Sequence, residues 1–213
     1  MIGLLQASGL AQSSCRACGR AFRGKDQGLI CELCLEGLRP YHPMDYSQKI
    51  DYVSSYRVFG LYEGVLKEVL HSIKFYNSKT LALRLGRALR DHLWEYVDQV
   101  QPDVVTFPAL NLRRFWSRGF NHVEHILKGA GLPSVKLFRR VDLSPPFALL
   151  SKEERQRAVT GHRLREDLLD LVENKRVLVV DDLLTTGSTL KRLAYLLLSV
   201  GASEVHAYIV ARG

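Results

Sequence analysis

No run of eighteen apolar residues occurs in the 213 of this chain, so no segment is expected to insert in a membrane as a helix. Residues 1–10 carry no charge ahead of their apolar stretch and no convincing cleavage site. They are not expected to act as a secretory signal, and the expected location is the cytoplasm. A Gly-Lys-Ser/Thr loop at Walker spacing is missing, and the one acid-flanked hydroxyl turn holds a single glycine. Both absences argue against the common nucleotide-binding loops. Internal repeats and low-complexity tracts are also lacking. Cysteine is scarce and confined, with all four residues between positions 15 and 34.

What remains has the composition of an ordinary globular protein, long enough for one medium α/β domain and a small appendage. The formal charge of +8 is less ordinary and favours phosphorylated or polyanionic partners. The cysteines read Cys15-Arg-Ala-Cys18 and Cys31-Glu-Leu-Cys34. Two Cys-x-x-Cys knuckles a dozen residues apart can bring four thiolates into one tetrahedron, the arrangement of structural Zn²⁺. Two disulfides or a redox pair are the alternatives; a reducing compartment disfavours the first, and the lack of a βαβ pattern disfavours the second. A zinc ribbon over 12–40 is therefore expected, with its folding energy drawn from the metal. A Pro-bounded connector, Arg39 to Pro43, leads to the main domain over 50–213.

Tyr52 to Tyr62 is rich in β-formers and predicts one or two strands capping the main domain. Helices are predicted over Gly64 to Phe75 and Leu81 to Val97, the second with Leu81, Leu85, Ala88, Leu89 and Leu93 at helical spacing. Short strands follow at Asp103 to Phe107, Val135 to Phe138, Val177 to Val180 and Val205 to Val210. Helices at His122 to Lys128 and Leu190 to Ser199 lie between them. That alternation predicts a mostly parallel sheet flanked by helices. Arg139 to Asp167 lacks a clear period early on and is expected to be mobile in part.

The most informative run is Val177 to Thr189, Val-Leu-Val-Val-Asp-Asp-Leu-Leu-Thr-Thr-Gly-Ser-Thr. A buried strand ends at Asp181 and Asp182, and a turn made of Thr185, Thr186, Gly187, Ser188 and Thr189 opens a helix. Backbone N–H groups and hydroxyls around that glycine can converge on a phosphate, aided by the helix dipole. Like charges repel, so the two carboxylates suit sugar hydroxyls, directly or through a hydrated Mg²⁺. A phosphate cradle beside a ribose clasp is the logic of a phosphoribosyl pyrophosphate (PRPP) site. The run resembles the thirteen-residue PRPP signature of type I phosphoribosyltransferases at every position. An acid-capped strand–turn–helix of no special function is the plainer reading.

Asn111 to Asn121 is a basic loop directly after the first core strand, and ligands of open parallel sheets bind beyond the carboxyl ends of the strands. Arg113, Arg114 and Arg118 could hold pyrophosphate or DNA there. Phe115, Trp116 and Phe120 interleave with them, as stacking platforms for single-stranded bases or as anchors onto the core. Lys152, Arg155, Arg157, Arg163 and Arg165 could close over a phosphorylated ligand or follow a nucleic-acid backbone; a solvated surface is the alternative.

With ribbon, basic loop and acidic turn in this order, the chain resembles the competence protein F (ComF) family of phosphoribosyltransferase-like proteins. The resemblance runs from about Cys15 to Gly213. It is carried by the knuckles, Leu70-His-Ser-Ile-Lys-Phe75, Pro108, Arg118-Gly-Phe-Asn121, Leu150-Ser-Lys-Glu-Glu-Arg155 and the Asp181–Thr189 turn. It implies a type I phosphoribosyltransferase fold with an N-terminal Cys₄ zinc ribbon, in a cytoplasmic protein handling incoming single-stranded DNA during natural transformation. It further implies Mg²⁺–PRPP as ligand and a DNA-translocating helicase as partner. The chain departs from the family at His122, where Gln is usual, at Phe147, also usually Gln, and near Ala158, usually Asn. Those changes leave PRPP binding intact and bear on transfer to an acceptor, the competing reading being a catalytic phosphoribosyltransferase acting on a nucleobase. A PRPP sensor without chemistry is the third.

Overall fold

A computed structural model describes residues 13–22, 29–41, 49–110, 118–142 and 160–213. Two-residue strands β1 (Ser13–Ser14) and β2 (Ala21–Phe22) pair antiparallel, and helix α1 (Glu32–Glu36) follows the second knuckle. The main domain runs β3 (Ser55–Leu61), α2 (Gly64–Phe75), α3 (Lys79–Val100), β4 (Val104–Thr106) and α4 (His122–Ala130). It continues with β5 (Phe138–Asp142), β6 (Thr160–Leu164), a 3₁₀ turn over Glu166–Leu171, β7 (Arg176–Leu184), α5 (Ser188–Ser199) and β8 (Glu204–Arg212).

The central sheet has the order β3-β8-β7-β4, and every pairing in it is parallel. Side chains alternate between its faces, as strand geometry requires. Leu178, Val180, Tyr208, Val210 and Phe59 pack with α2, α3 and α4. Val177, Val179, Val205, Ala207, Ile209 and Val58 pack with α5. Burial on both sides explains why β7 and β8 read as continuous apolar runs. Each fully buried Val, Leu or Ile contributes about 1.5–3 kcal/mol, which makes this double-sided sheet the main source of stability.

Caps set the helix ends. The Ser78 hydroxyl accepts from the Leu81 N–H at 3.2 Å, and Asn121 Oδ1 accepts from the Val123 N–H at 3.0 Å. Helix α4 then stops at Gly131 (φ 71°), a left-handed conformation that favours glycine. Helices α3 and α4 touch backbone to backbone: a Cβ on Gly86 would lie 2.0 Å from the Ile126 carbonyl oxygen, and one on Gly129 would lie 2.1 Å from that of Leu83. Only glycine fits either position.

Three expectations change. Residues 55–61 do not cap the domain; they are the edge strand β3 of the main sheet, parallel to β8, because Val58 and Phe59 find cores on opposite faces. The strand expected from Val135 shrinks to a single parallel bridge between Thr106 and Val135. A tight turn, with the Leu137 N–H donating to Val135 O at 3.0 Å, redirects the chain into β5. Residues 138–142 and 160–164, the second of them and most of the first within the Arg139–Asp167 segment that lacks a clear period early on, pair as an antiparallel ladder, Arg139 opposite Arg163 and Arg140 opposite His162. The intervening residues, with Phe147, Lys152, Arg155, Arg157 and Ala158, lie outside those described. Among the described residues no helix is long and apolar enough to cross a membrane.

Candidate functional site

The topology creates a crevice. From β4 the chain passes through α4 on one face to the bridge at Val135, on the outer side of β4. From β7 it passes through α5 on the opposite face to β8. Adjacent strands whose connections leave in opposite senses open a gap beyond their carboxyl ends, where ligands of such sheets bind. A cleft of about 810 Å³ lies there. Its walls come from the ends of β4 and β7, the start of α4, the end of α2 and the β5–β6 ladder.

The wall beside β4 is tied down by two hydrogen bonds. Asn121 Nδ2 donates to the Pro108 carbonyl at 2.8 Å, and His162 Nε2 donates to that of Ala109 at 2.9 Å. The second bond carries the β5–β6 ladder over the cleft, bringing Arg140 to its rim.

The expected acidic pair is present, with a difference in setting. Strand β7 runs on to Leu184, so Asp181 and Asp182 belong to its second half instead of following it. Successive strand residues point to opposite faces, yet both carboxylates line the cleft. The Asp182 N–H donates to Asp181 Oδ1 at 2.8 Å. Burial, and then the neighbouring Asp182 charge, push the Asp181 carboxyl up from its ordinary range. Burial also works against the Asp182 charge, but His122 and Lys74 outweigh it and hold that carboxyl low. Lys74 makes an ion pair with Asp182 Oδ2, and His122 Nε2 lies 2.8 Å from the same oxygen.

The protonation of His122 follows from its partners. Arg118 Nη1 lies 2.7 Å from His122 Nδ1. A guanidinium only donates, so Nδ1 must accept, and the ring is neutral with its proton on Nε2. Nε2 then donates to Asp182. Burial is the largest influence on this ring and lowers its pKa, against the opposing pull of Asp182. A continuous chain, Arg118 to His122 to Asp182 to Lys74, therefore crosses the cleft floor.

Beyond the acids lies the hydroxyl turn. Gly187 has φ 74°, a conformation other residues adopt only with strain, and it caps α5. Thr186 Oγ1 accepts from the Ser188 N–H at 3.4 Å and lies 2.9 Å from Ser188 Oγ. Thr185, Thr186, Gly187, Ser188 and Thr189 line one concavity at the helix N-terminus, adjoining the main cleft at Thr185 and Thr189. The first N–H groups of a helix have no intrahelical partners and attract an anion. Carboxylates and an anion cradle thus share one opening, a combination fitted to a ligand with a phosphate at one end and hydroxyls at the other.

Of the basic residues singled out by sequence, Arg118 lines the cleft. Arg113, Arg114, Phe115 and Trp116 fall outside the described residues. Phe120 is 3% exposed and packs in the core, which makes it an anchor and excludes base stacking by it. Arg163 and Arg165 are away from the cleft lining, and Arg165 pairs with Asp167 at 2.8 Å. The functional contacts of Lys74 and His122 were missed. Lys74 comes from a helix a hundred residues away from the acids, and the resemblance that marks Leu70 to Phe75 does not pair it with them. His122 follows Asn121, a helix cap, which could have placed it at a helix start facing the strand ends.

The four cysteine sulfurs all lie within 4.8 Å of one another. Cys15 Sγ and Cys34 Sγ are 3.8 Å apart, Cys18 Sγ and Cys31 Sγ 3.9 Å. Bonds of about 2.3 Å from a tetrahedral Zn²⁺ imply sulfur–sulfur edges of about 3.8 Å, so the set fits that ion. None is in a disulfide. The module is not free-standing: Cys15, Ile30, Cys31 and Leu35 share one core with α2 and α3, and Arg84 Nη1 donates to the Ile30 carbonyl at 3.1 Å.

Comparison with known proteins agrees with this architecture. The family described as phosphoribosyl transferase domain matches residues 122–213. Competence protein ComFC of Streptococcus pneumoniae is 28% identical over 165 residues, 74% of this chain and 68% of that protein. Competence protein F of Haemophilus influenzae is 28% identical over 171 residues, 73% and 71% of the two chains. DNA utilization protein YhgH of Salmonella typhi is 25% identical over 219 residues, 93% and 89% of the two. The fold is thus of the phosphoribosyltransferase type, a parallel sheet flanked by helices with a four-cysteine module at its N-terminal side.

Proposed function

We propose that this chain, a homologue of the ComF competence proteins carrying a phosphoribosyltransferase-type domain, binds Mg²⁺–PRPP and handles single-stranded DNA in the cytoplasm during natural transformation. One observation carries the ligand: two carboxylates and a hydroxyl-rich helix start share a single cleft. The 5′-phosphate belongs at Thr185 to Thr189, where N–H groups and hydroxyls converge. Asp181 and Asp182 face the ribose diol. Arg118 and the loop arginines Arg113 and Arg114 are the candidates for the pyrophosphate or for DNA phosphates. Mg²⁺, when bound, neutralises pyrophosphate charge, and hydroxyl or aquo ligands of the complex would relieve the repulsion between the two aspartates. Zn²⁺ in the Cys15, Cys18, Cys31, Cys34 set is structural in this reading, with the ribbon over 12–40 and the main domain over 50–213. A DNA-translocating helicase is the partner suggested by the kinship with competence proteins.

Calorimetric titration of Mg²⁺–PRPP tests the ligand. Asp181→Asn with Asp182→Asn is expected to weaken binding at least tenfold, and unchanged affinity would remove the reading. The second reading, transfer to a nucleobase, is favoured by Arg140 and the β5–β6 ladder over the cleft, where an acceptor would enter. Pyrophosphate release across a panel of bases separates the two.

A further inference from the structure

The end of α2 displays two consecutive large aromatics, Phe75 with 69% and Tyr76 with 49% of its surface exposed. Neither is a stray. Phe75 lines the cleft and stacks on His71, ring centroids 4.3 Å apart and 25° from parallel. Tyr76 carries the Arg16 guanidinium 4.6 Å from its ring centroid, and Arg16 lies between the first two cysteines. Lys74, immediately before them, is the cation paired with Asp182 on the cleft floor. The end of α2 therefore meets the cleft through Lys74 and Phe75 and the cysteine module through Tyr76.

Two exposed rings at successive positions forgo burial worth about 1.5–3 kcal/mol each, which marks a surface built for contact. Cations flanking exposed aromatic rings are the chemistry of single-stranded nucleic acid, in which bases stack and phosphates pair. An acidic peptide would use the cations and leave the rings idle; a lipid surface would need a broader apolar patch. The net charge of +8 suits a polyanion.

We infer that Phe75, Tyr76 and Arg16 form a stacking platform that guides a DNA single strand from the cysteine module to the mouth of the cleft. This rests on the DNA half of the proposed function and is independent of PRPP. It gives the cysteine module a second task besides stability, since it supplies the cation that flanks the second ring.

The test is fluorescence anisotropy with a labelled oligodeoxythymidylate on the metal-replete chain, with Mg²⁺–PRPP titrated separately by calorimetry. Phe75→Leu with Tyr76→Leu is expected to weaken oligonucleotide binding roughly tenfold, the loss of about one stacked base. Stacking carries no charge, so the salt slope should not change. Arg16→Gln should lower that slope by about one. Phe75→Trp should keep the affinity and show quenching on DNA addition beyond that of the parent tryptophans. Melting temperature and metal content of each variant guard against misfolding. Equal affinity in the double leucine variant, or no binding by the parent chain, overturns the platform. The calorimetry, read alone, decides the PRPP site in either event.

Discussion

His122 Nε2 lies 2.8 Å from Asp182 Oδ2 across sixty residues of sequence, and the arginine on the opposite ring nitrogen makes it a donor. The acidic residue that resembles a ribose ligand is therefore already held by two partners, Lys74 and His122, before any ligand arrives. A glutamine amide at this position could make the same donation to Asp182 while its carbonyl oxygen accepts from Arg118.

His122→Gln should consequently melt close to the parent protein. His122→Phe should lose about 1–3 kcal/mol, because Asp182 and Arg118 both forfeit a buried partner. Urea unfolding of the two variants side by side measures the difference.

The same ring gives a pH dependence with a defined sign. Burial holds the His122 pKa below its ordinary 6.5, so between the two values the unfolded chain binds a proton that the folded chain refuses. Stability attributable to His122 is present above pH 6.5 and is lost as the pH falls, by up to about 1.4 kcal/mol per unit. His122→Gln should remove that slope between pH 7.5 and 5.5, and identical slopes in the two proteins would count against the neutral ring.

Asp181 acts in the opposite direction. Its raised pKa means that the folded chain pays for a second carboxylate in a buried site. Asp181→Asn should raise the melting temperature of the ligand-free protein by a few degrees while weakening Mg²⁺–PRPP binding, as expected where a site is shaped for its ligand at the expense of stability. Differential scanning calorimetry checks the first effect, titration the second.

Gly86→Ala should cost about 3 kcal/mol or more, since the added Cβ would meet the Ile126 carbonyl at 2.0 Å with only backbone to give way. A solvent-exposed control on the same helix, Arg87→Ala, should change the urea midpoint little.

Purified reduced protein should carry one Zn²⁺ per chain. Chelation should lower the melting temperature, because Ile30 and Leu35 lose the scaffold that presents them to α3. Cys15→Ser should reproduce the effect without chelator, and elemental analysis gives the stoichiometry.

Much of this architecture was legible beforehand, for reasons visible in particular residues. Val177 to Val180 read as a buried strand because both of its faces are apolar, and Asp181 to Thr189 read as a ligand turn because hydroxyls, glycine and acids are each restrictive there. The cysteine knuckles were clear from spacing alone. Tyr52 to Tyr62 misled because β-propensity reports a strand without its neighbours, and β3 pairs with β8, some 150 residues later. The ladder of β5 and β6 was hidden because its facing arginines follow no apolar alternation. Lys74 and His122 escaped because their partner, Asp182, is brought to them only by the crossing of α2, α4 and β7.

Helix α3 has 22 residues, about 33 Å of rod, and it is fastened along its length. Arg84 grips the Ile30 carbonyl near one end, Trp94 Nε1 donates to the Ala130 carbonyl at 3.0 Å, and His92 Nδ1 meets the Tyr208 hydroxyl at 2.9 Å. Cysteine module, α4 and sheet therefore hang from one beam, and a load taken up at the cysteine end is shared with the helix whose first residue reaches Asp182.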